Sequence, residues 1–399
     1  MSNYIKLDNC RVCKSSNLFG VLDLNEQPLA NSYHKGEDQP VYPLKINTCR
    51  ECFHTQLSVV VNPDLMFKDY LYVSGTSKTL HQYFSDFVGL CEEYTKTKGS
   101  VLDVACNDGT QLDKFKEQGW ETFGVDPAEN LYPLSKENHT VKCDYWNSDV
   151  ALSFQRKFNL ITAQNVFAHV NDVHEFLQAC SVSLEDEGHV IIQTSQADMI
   201  LDSQFDTIYH EHLSFFSSLS MKICANINGF SLVDVRKTDV HGGSYVFILR
   251  LGDRDQSLAE KQIEDENKRG LYSIETYKQY TNNCNKVVED FRKAVEEFKA
   301  DGYKVVGYGA AAKGNTFLNF AKIDLDYIVD DNKLKWNLLT PGRNIEIKDP
   351  QSLSTEDKDK LVVAPLAWNF FKEISARANE ISGTSLKFIR YFPNLEVIS

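Results

Sequence analysis

The sequence predicts an α/β chain in three parts: a small metal-bound N-terminal module followed by two sheet-and-helix domains. Three observations carry that reading. Two Cys-x-x-Cys pairs, Cys10/Cys13 and Cys49/Cys52, lie about 35 residues apart near the N-terminus. From about residue 100, short apolar runs alternate with helical stretches, the pattern of a parallel sheet covered on both faces. From residue 303 a second alternation of the same kind begins. A chain of 399 residues is also too long for one ordinary core. The expected boundaries are 1–65, 66–238 and 239–399.

Residues 1–65 read as short elements and loops held between the cysteine pairs. Each pair turns two sulfurs toward one point, so Cys10, Cys13, Cys49 and Cys52 supply the tetrahedral thiolate set of zinc. Four thiolates leave no open coordination position. The metal is therefore expected to be structural, stabilising a module with little core of its own. His54, just past the second pair, is expected to be a bystander. Cys91, Cys106, Cys143, Cys180, Cys224 and Cys284 are scattered and read as small core hydrophobes.

Residues 66–98 read as mostly helical, with a polar and aromatic character that includes Tyr72. The runs VLDVA (101–105), TFGVD (122–126), FNLITAQ (158–164) and HVIIQTS (189–195) are buried strands of a Rossmann-like domain. SLVDVR (231–236) and SYVFILRL (244–251) add β structure, and a charged helical segment spans roughly 256–300. YKVVGYGA (303–310), DYIVDD (326–331), KLVVAP (360–365) and KFIRYFP (387–393) build a second, smaller Rossmann-like domain.

Forty-two basic residues against 56 acidic ones give a formal charge of −14. That excludes a dedicated nucleic-acid binder with a basic face. No stretch approaches the ~20 apolar residues of a membrane span. The N-terminus lacks the basic-then-apolar layout of a signal peptide, so a cytoplasmic protein is expected. Nothing resembles a heptad or a dimer helix, and a monomer is expected.

The turn after the first strand bears on the cofactor. Asp103 lies inside the strand, and Asn107-Asp108-Gly109 leads into a helix. Asp126 ends the next strand 23 residues later, where a carboxylate can accept hydrogen bonds from ribose hydroxyls. Dinucleotides call for glycines where Ala105 and Asn107 stand. S-adenosylmethionine needs no pyrophosphate cradle and suits Asp103, Asn107, Gly109 and Asp126 better. A merely structural turn and a nicotinamide site remain the alternatives. After the third strand, Asn165 and His169 sit at i and i+4 and can share a helix face toward the ligand crevice.

Tyr209-His210-Glu211-His212 concentrates two imidazoles, a carboxylate and a phenol in a loop after the fourth strand. Histidine is the natural base near neutrality, and a carboxylate or phenol beside it can fix its tautomer. If the run is extended, Tyr209 and Glu211 face one way and His210 and His212 the other. A catalytic metal or a satisfied structural cluster are the competing readings.

The ordered set CxxC…CxxC, CNDG, NVFAHV, FDTIYHEHLSFFS, HGGS, GYGAAAKGN, VDDN and LAWNF resembles the sugar C-methyltransferase family over Cys10 to about Asn369. That family includes the 3-C-methyltransferases of nucleotide-linked 4-keto-6-deoxy sugars. The resemblance implies a zinc-binding domain, an S-adenosylmethionine-dependent methyltransferase domain and a Rossmann-like C-terminal domain. It implies methyl transfer to a carbon beside a ketone, on a dTDP- or GDP-linked keto sugar. His212 matches the family base, Tyr209 and Glu211 its companions, and His169 a position of the active site. Asn165 joins the cofactor set. Tyr72, His210, His241, Ser244, Lys313 and Asn315 are the expected substrate contacts. Backbone amides of the HGGS and GYGAAAKGN turns, with Lys313, suit a diphosphate. Asp103 and Ala105 replace the family's Glu-x-Gly, Gln193 stands where an acid is common, and Tyr245-Val246 replaces Leu-Arg. The last change implies a different set of sugar contacts. An O-methyltransferase, a nicotinamide enzyme acting on a nucleotide sugar, and a non-catalytic zinc-ribbon adaptor are the rivals.

Overall fold

The structure, a computed structural model, describes residues 3–67, 75, 78–95, 97–195, 198–392 and 394–398. Contacts group the chain into two units. One comprises Met1–Phe19, Asn47–Asp198 and Glu211–Tyr272; the other comprises Gly20–Ile46, Met199–His210 and Ser273–Ser399. Among the described residues no helix is long and apolar enough to cross a membrane.

The N-terminal part holds more regular structure than its cysteine spacing suggests: β1 (Tyr4–Lys6), β2 (Leu18–Gln27), β3 (Tyr42–Cys49), β4 (Thr55–Leu57) and β5 (Val59–Val61). The ten-residue β2 follows the alternation of buried Leu22 and Leu24 with exposed Asp23, a period-2 pattern that fits a half-buried strand. β1 pairs antiparallel with β5.

The first unit is organised by a seven-stranded sheet. Its strands are β6 (Ser100–Val104), β7 (Glu121–Val125), β8 (Thr140–Lys142), β9 (Phe158–Gln164) and β10 (Leu184–Ser195), then β12 (Phe230–Thr238) and β13 (Ser244–Leu251). The short β11 (Ser214–Phe215) pairs instead with β4. The order is β12-β13-β10-β9-β6-β7-β8. β10, β9, β6, β7 and β8 run parallel, and β13 is antiparallel to both β10 and β12. A dinucleotide fold would continue with a sixth parallel strand. The antiparallel β12–β13 pair departs from that order.

Alternation along the strands divides the core. Val101, Leu160, Ile191, Val246 and Ile248 pack with Phe87, Val88 and Cys91 of helix Lys78–Tyr94 and with Phe115. Leu102, Val104, Ile161, Ala163, Val190 and Ile192 pack on the other face. Their partners there are Phe176, Leu177 and Cys180 of helix Val173–Ser183, and Met221 and Cys224 of helix Ser218–Ile227. Both faces are covered, which is why these strands read as near-continuous apolar runs. Cys91, Cys106, Cys180, Cys224 and Cys284 are buried as expected, but Cys143 is exposed. It follows the edge strand β8.

The second unit holds β14 (Lys304–Tyr308), β15 (Tyr327–Val329), β16 (Ile347–Lys348), β17 (Leu361–Pro365), β18 (Lys387–Arg390) and β19 (Glu396–Ile398). Their order is β16-β15-β14-β17-β18-β19, parallel except for the last pair. Both β6 and β14 lie inside their sheets with crossovers leaving to either side. Their carboxyl ends are therefore switch points, where such sheets bind ligands.

Candidate active site

The four N-terminal cysteines converge. The Cys10 and Cys52 sulfurs lie 3.5 Å apart, as do those of Cys13 and Cys49, and all four ligand atoms fall within 4.8 Å of one another. The two knuckles share one geometry. Lys14 N–H donates to Cys10 O and Phe53 N–H to Cys49 O, and both Lys14 and Phe53 are left-handed, at φ 62° and 51°. Thiols this close cannot all ionise alone. Its hydrogen bond from Cys52 draws Cys10 down to about 5, while burial pushes Cys13 up to about 11. A divalent cation removes that conflict, so the donor set fits structural zinc. His54 is not part of it. Its ring is buried against Phe216, its Nε2 is 3.2 Å from Ser214 Oγ, and burial holds it down at about 3.

A cavity of about 380 Å³ opens at the carboxyl ends of β6, β7, β8 and β9. That volume is typical of small-molecule sites, roughly 300–1,000 Å³. The turn after β6 is built from left-handed residues, Ala105 at φ 62°, Asn107 at 52° and Gly109 at 88°. Ala105 N–H and Cys106 N–H both donate to Val125 O. A side chain at Gly124 would come within 2.6 Å of Cys106 Sγ, so the turn lies tightly on β7. Left-handed alanine costs about 1 kcal/mol, which is the strain left by Ala105 at a glycine-type position.

Asp126 fastens the floor of the cavity. Its carboxylate accepts from Asn107 N–H and from Ala128 N–H, each at 2.8 Å. Asp103 accepts from Thr162 Oγ1 at 2.7 Å, and burial, with a further push from Asp126, raises it to about 7. At β9, Asn165 is left-handed at φ 54° and a 3₁₀ turn, Phe167–His169, follows. Asn165 and His169 therefore line the same cavity without sharing a helix face. Among the described residues the buried Gln164 Oε1 and Asn165 Oδ1 have no hydrogen-bond partner, leaving acceptors for a ligand.

The electrostatics of the lining are one-sided. Asp103, Asp126, Asp144, Asp172 and Glu175 contribute carboxyls, and among the described residues neither lysine nor arginine lines the cavity. Such a wall repels a pyrophosphate and attracts a cation. Asp144, Asp172 and Glu175 follow β8 and β9 without a local motif, and nothing in the sequence pattern singles them out.

The Tyr209–His212 run is a tight turn, so its side chains do not alternate as a strand would place them. Glu211 and His212 are buried, 6% and 5% exposed, and Leu213 N–H donates to Ala168 O. That bond holds the His212 ring edge-on to His169, 4.9 Å between centroids. Burial keeps His169 at about 4, so it is neutral at pH 7. His210 is 1% exposed and edge-on to Tyr42, with carbonyls of Tyr42 and Pro43 nearby but out of hydrogen-bond geometry. Burial lowers it to about 4. Tyr209 is half-buried.

Three family profiles match in succession. They are a zinc binding domain over residues 10–67, a methyltransferase domain over 77–235 and a C-methyltransferase C-terminal domain over 239–393. The C-methyltransferase NovU of Streptomyces niveus is 29% identical over 411 aligned residues, covering 98% of this chain and 97% of that protein. Along nearly its whole length the chain is therefore similar to a C-methyltransferase. A ubiquinone biosynthesis O-methyltransferase of Rhodopseudomonas palustris (strain BisA53) is 26% identical over 98 residues, 24% of this chain and 39% of that enzyme. A solved S-adenosylmethionine-dependent methyltransferase from Clostridium acetobutylicum aligns at 16% identity and a TM-score of 0.36, over 43% of this chain and 92% of its own.

The remaining expected contacts fall in different places. Tyr72 lies outside the described residues, as does the side chain of His241. Ser244 is fully buried in the first unit; it accepts from Gln193 Nε2 and donates to Val240 O. Lys313 and Asn315 belong to the second unit, at the turn after β14. Gly309, left-handed at φ 91°, opens that turn, and Ala310 N–H donates to Asp330. Asp330 here repeats the part of Asp126. Asn315 donates to Ala30 O, and among the described residues its buried Oδ1 has no hydrogen-bond partner. Lys313 Nζ sits 5.5 Å above the Trp368 ring. Trp368 in turn donates to Asp206, a fully buried carboxylate three residues before the Tyr209 turn.

Asp103 gives a pH-dependent expectation. Its folded value near 7 lies above the ordinary 3.8, so the ligand-free protein loses stability as pH rises from about 4 through 7. A bound cation reverses that cost by favouring the carboxylate. Affinity for S-adenosylmethionine should therefore tighten about tenfold between pH 6 and pH 8. Asp103→Asn should flatten the profile and weaken binding, as isothermal titration calorimetry across that range would show.

Proposed function

We propose that the chain transfers a methyl group from S-adenosylmethionine to carbon-3 of a nucleotide-diphosphate-linked 4-keto-6-deoxy sugar, dTDP- or GDP-linked. The observation that carries this reading is the acidic cavity with His169 on its wall and the His212 ring against it. The whole-length similarity to NovU supports carbon as the methylated atom. A zinc ion on the four cysteines fills a structural role, distant in chemistry from the reaction.

When bound, the donor supplies an electrophilic sulfonium methyl; the chain's residues do the rest. Asp126 fits the ribose hydroxyls, Asp103 the amino-acid end, and Asn107, Gly109 and Asn165 the close approach of the turn. The hydrogen beside a ketone is acidic only if the enolate is stabilised. His212 takes that proton as base, and neutral His169 keeps the local field from adding a competing positive charge. Tyr209 donates to the developing oxyanion, whose stabilisation is worth several kcal/mol in such sites. Glu211 orients a partner or holds a sugar hydroxyl. His210, His241, Ser244 and Tyr72 are the further proposed substrate residues, and Lys313 and Asn315 the proposed diphosphate residues.

Exchange in deuterium oxide tests this. With a nucleotide-linked 4-keto-6-deoxy sugar and S-adenosylhomocysteine, the enzyme should wash deuterium into the position beside the ketone. Absence of exchange, together with methylation on oxygen, would favour the O-methyltransferase reading.

A further inference from the structure

The first cysteine knuckle carries a residue that neither the metal nor the chemistry requires. Arg11 lies between ligands Cys10 and Cys13, yet its side chain turns inward and is only 5% exposed. Its Nη1 donates to Asn171 O at 2.5 Å and to Asn171 Oδ1 at 3.1 Å. Asn171 and its neighbour Asp172 are part of the cavity wall. The backbone closes the same link from the other side. Arg11 O accepts from His174 Nε2 at 3.1 Å, while His174 Nδ1 accepts from Asn228 Nδ2 at 2.9 Å. Arg11 N–H donates to Gln56 Oε1 at 2.7 Å. Between these contacts Asp172 caps helix Val173–Ser183, accepting from His174 N–H and Glu175 N–H.

A guanidinium this deep needs compensation. Among the described residues its Nε and Nη2 have no hydrogen-bond partner. Uncompensated, such a charge is expensive to hold. Four thiolates around one divalent cation leave an excess of negative charge next to it, and Asp172 adds to that field. The metal turn thus supplies both the position and the counter-charge that keep Arg11 on Asn171.

We propose that Arg11 is a positioning residue that couples the cysteine-bound metal to the methyl-donor cavity: it holds the 171–175 wall in its binding geometry. The proposal rests on the cavity being the donor site. It separates this metal centre from a remote staple, whose loss would lower stability and leave donor affinity alone.

The test is S-adenosylhomocysteine affinity, by calorimetry on the full chain, alongside zinc content by mass spectrometry. Arg11→Met should keep its zinc and bind S-adenosylhomocysteine about tenfold more weakly, at the low end of effects for contacts that support a site from behind. Arg11→Lys, which can still reach Asn171 O, should recover most of that loss. Chelating the metal from the wild type should weaken binding at least as much. Unchanged affinity in zinc-replete Arg11→Met overturns the proposal, as does unchanged affinity after chelation. A loss in Arg11→Met that only tracks lost zinc, without rescue by lysine, also overturns it. Failure of the wild type to bind S-adenosylhomocysteine would instead remove the donor-site reading on which it rests.

Discussion

His212→Asn is expected to lower turnover about a thousandfold while changing S-adenosylmethionine affinity by less than threefold. A positioned general base is worth roughly 10²–10⁴ in rate. Asparagine keeps much of the volume and a hydrogen-bonding side chain but accepts no proton. The residue is 5% exposed and its ring is 4.9 Å from that of His169, so a shape-preserving change is needed to separate chemistry from packing. The same variant should abolish deuterium exchange beside the ketone. Steady-state kinetics and exchange together decide: exchange that survives removes His212 from the role of base. His169→Asn should cost less, because a neutral neighbour shapes the site without carrying the proton.

Cys49→Ser carries the second large effect. Structural zinc in small modules contributes on the order of 10 kcal/mol to folding, comparable with the whole stability of a domain. Removing one thiolate should release the metal, and the apparent thermal midpoint should fall by about 10 °C or more. Cys180→Ala is the control, since Cys180 is equally buried but is not one of the four ligands. It should cost only the few kcal/mol of a small core truncation and keep its zinc. Metal analysis and calorimetric melting of the two variants check this. A zinc-replete Cys49→Ser protein with unchanged melting would contradict the assignment.

The strands were most legible where both faces are covered. Phe158–Gln164 and Ser244–Leu251 fall on the residues expected from their apolar runs. The two cysteine pairs were equally legible, because ligand spacing is a local constraint. The N-terminal β structure was harder to read: the alternation in Leu18–Gln27 is diluted by Asn25 and Glu26. Asn165 and His169 were placed at the cavity by a helical argument that the left-handed turn replaces. The acidic wall depends on loops after separate strands, and the His169–His212 contact joins residues 43 positions apart. Arg11 sits in a motif whose pattern reports only its cysteines. Such features arise from long-range packing, which local spacing does not encode.

The most direct test of the proposed function is to give the enzyme carbon-13 methyl-labelled S-adenosylmethionine with a dTDP- or GDP-linked 4-keto-6-deoxy sugar and locate the label by nuclear magnetic resonance. The proposal predicts a methyl bonded to carbon-3 of the sugar. A methyl bonded to oxygen would contradict it.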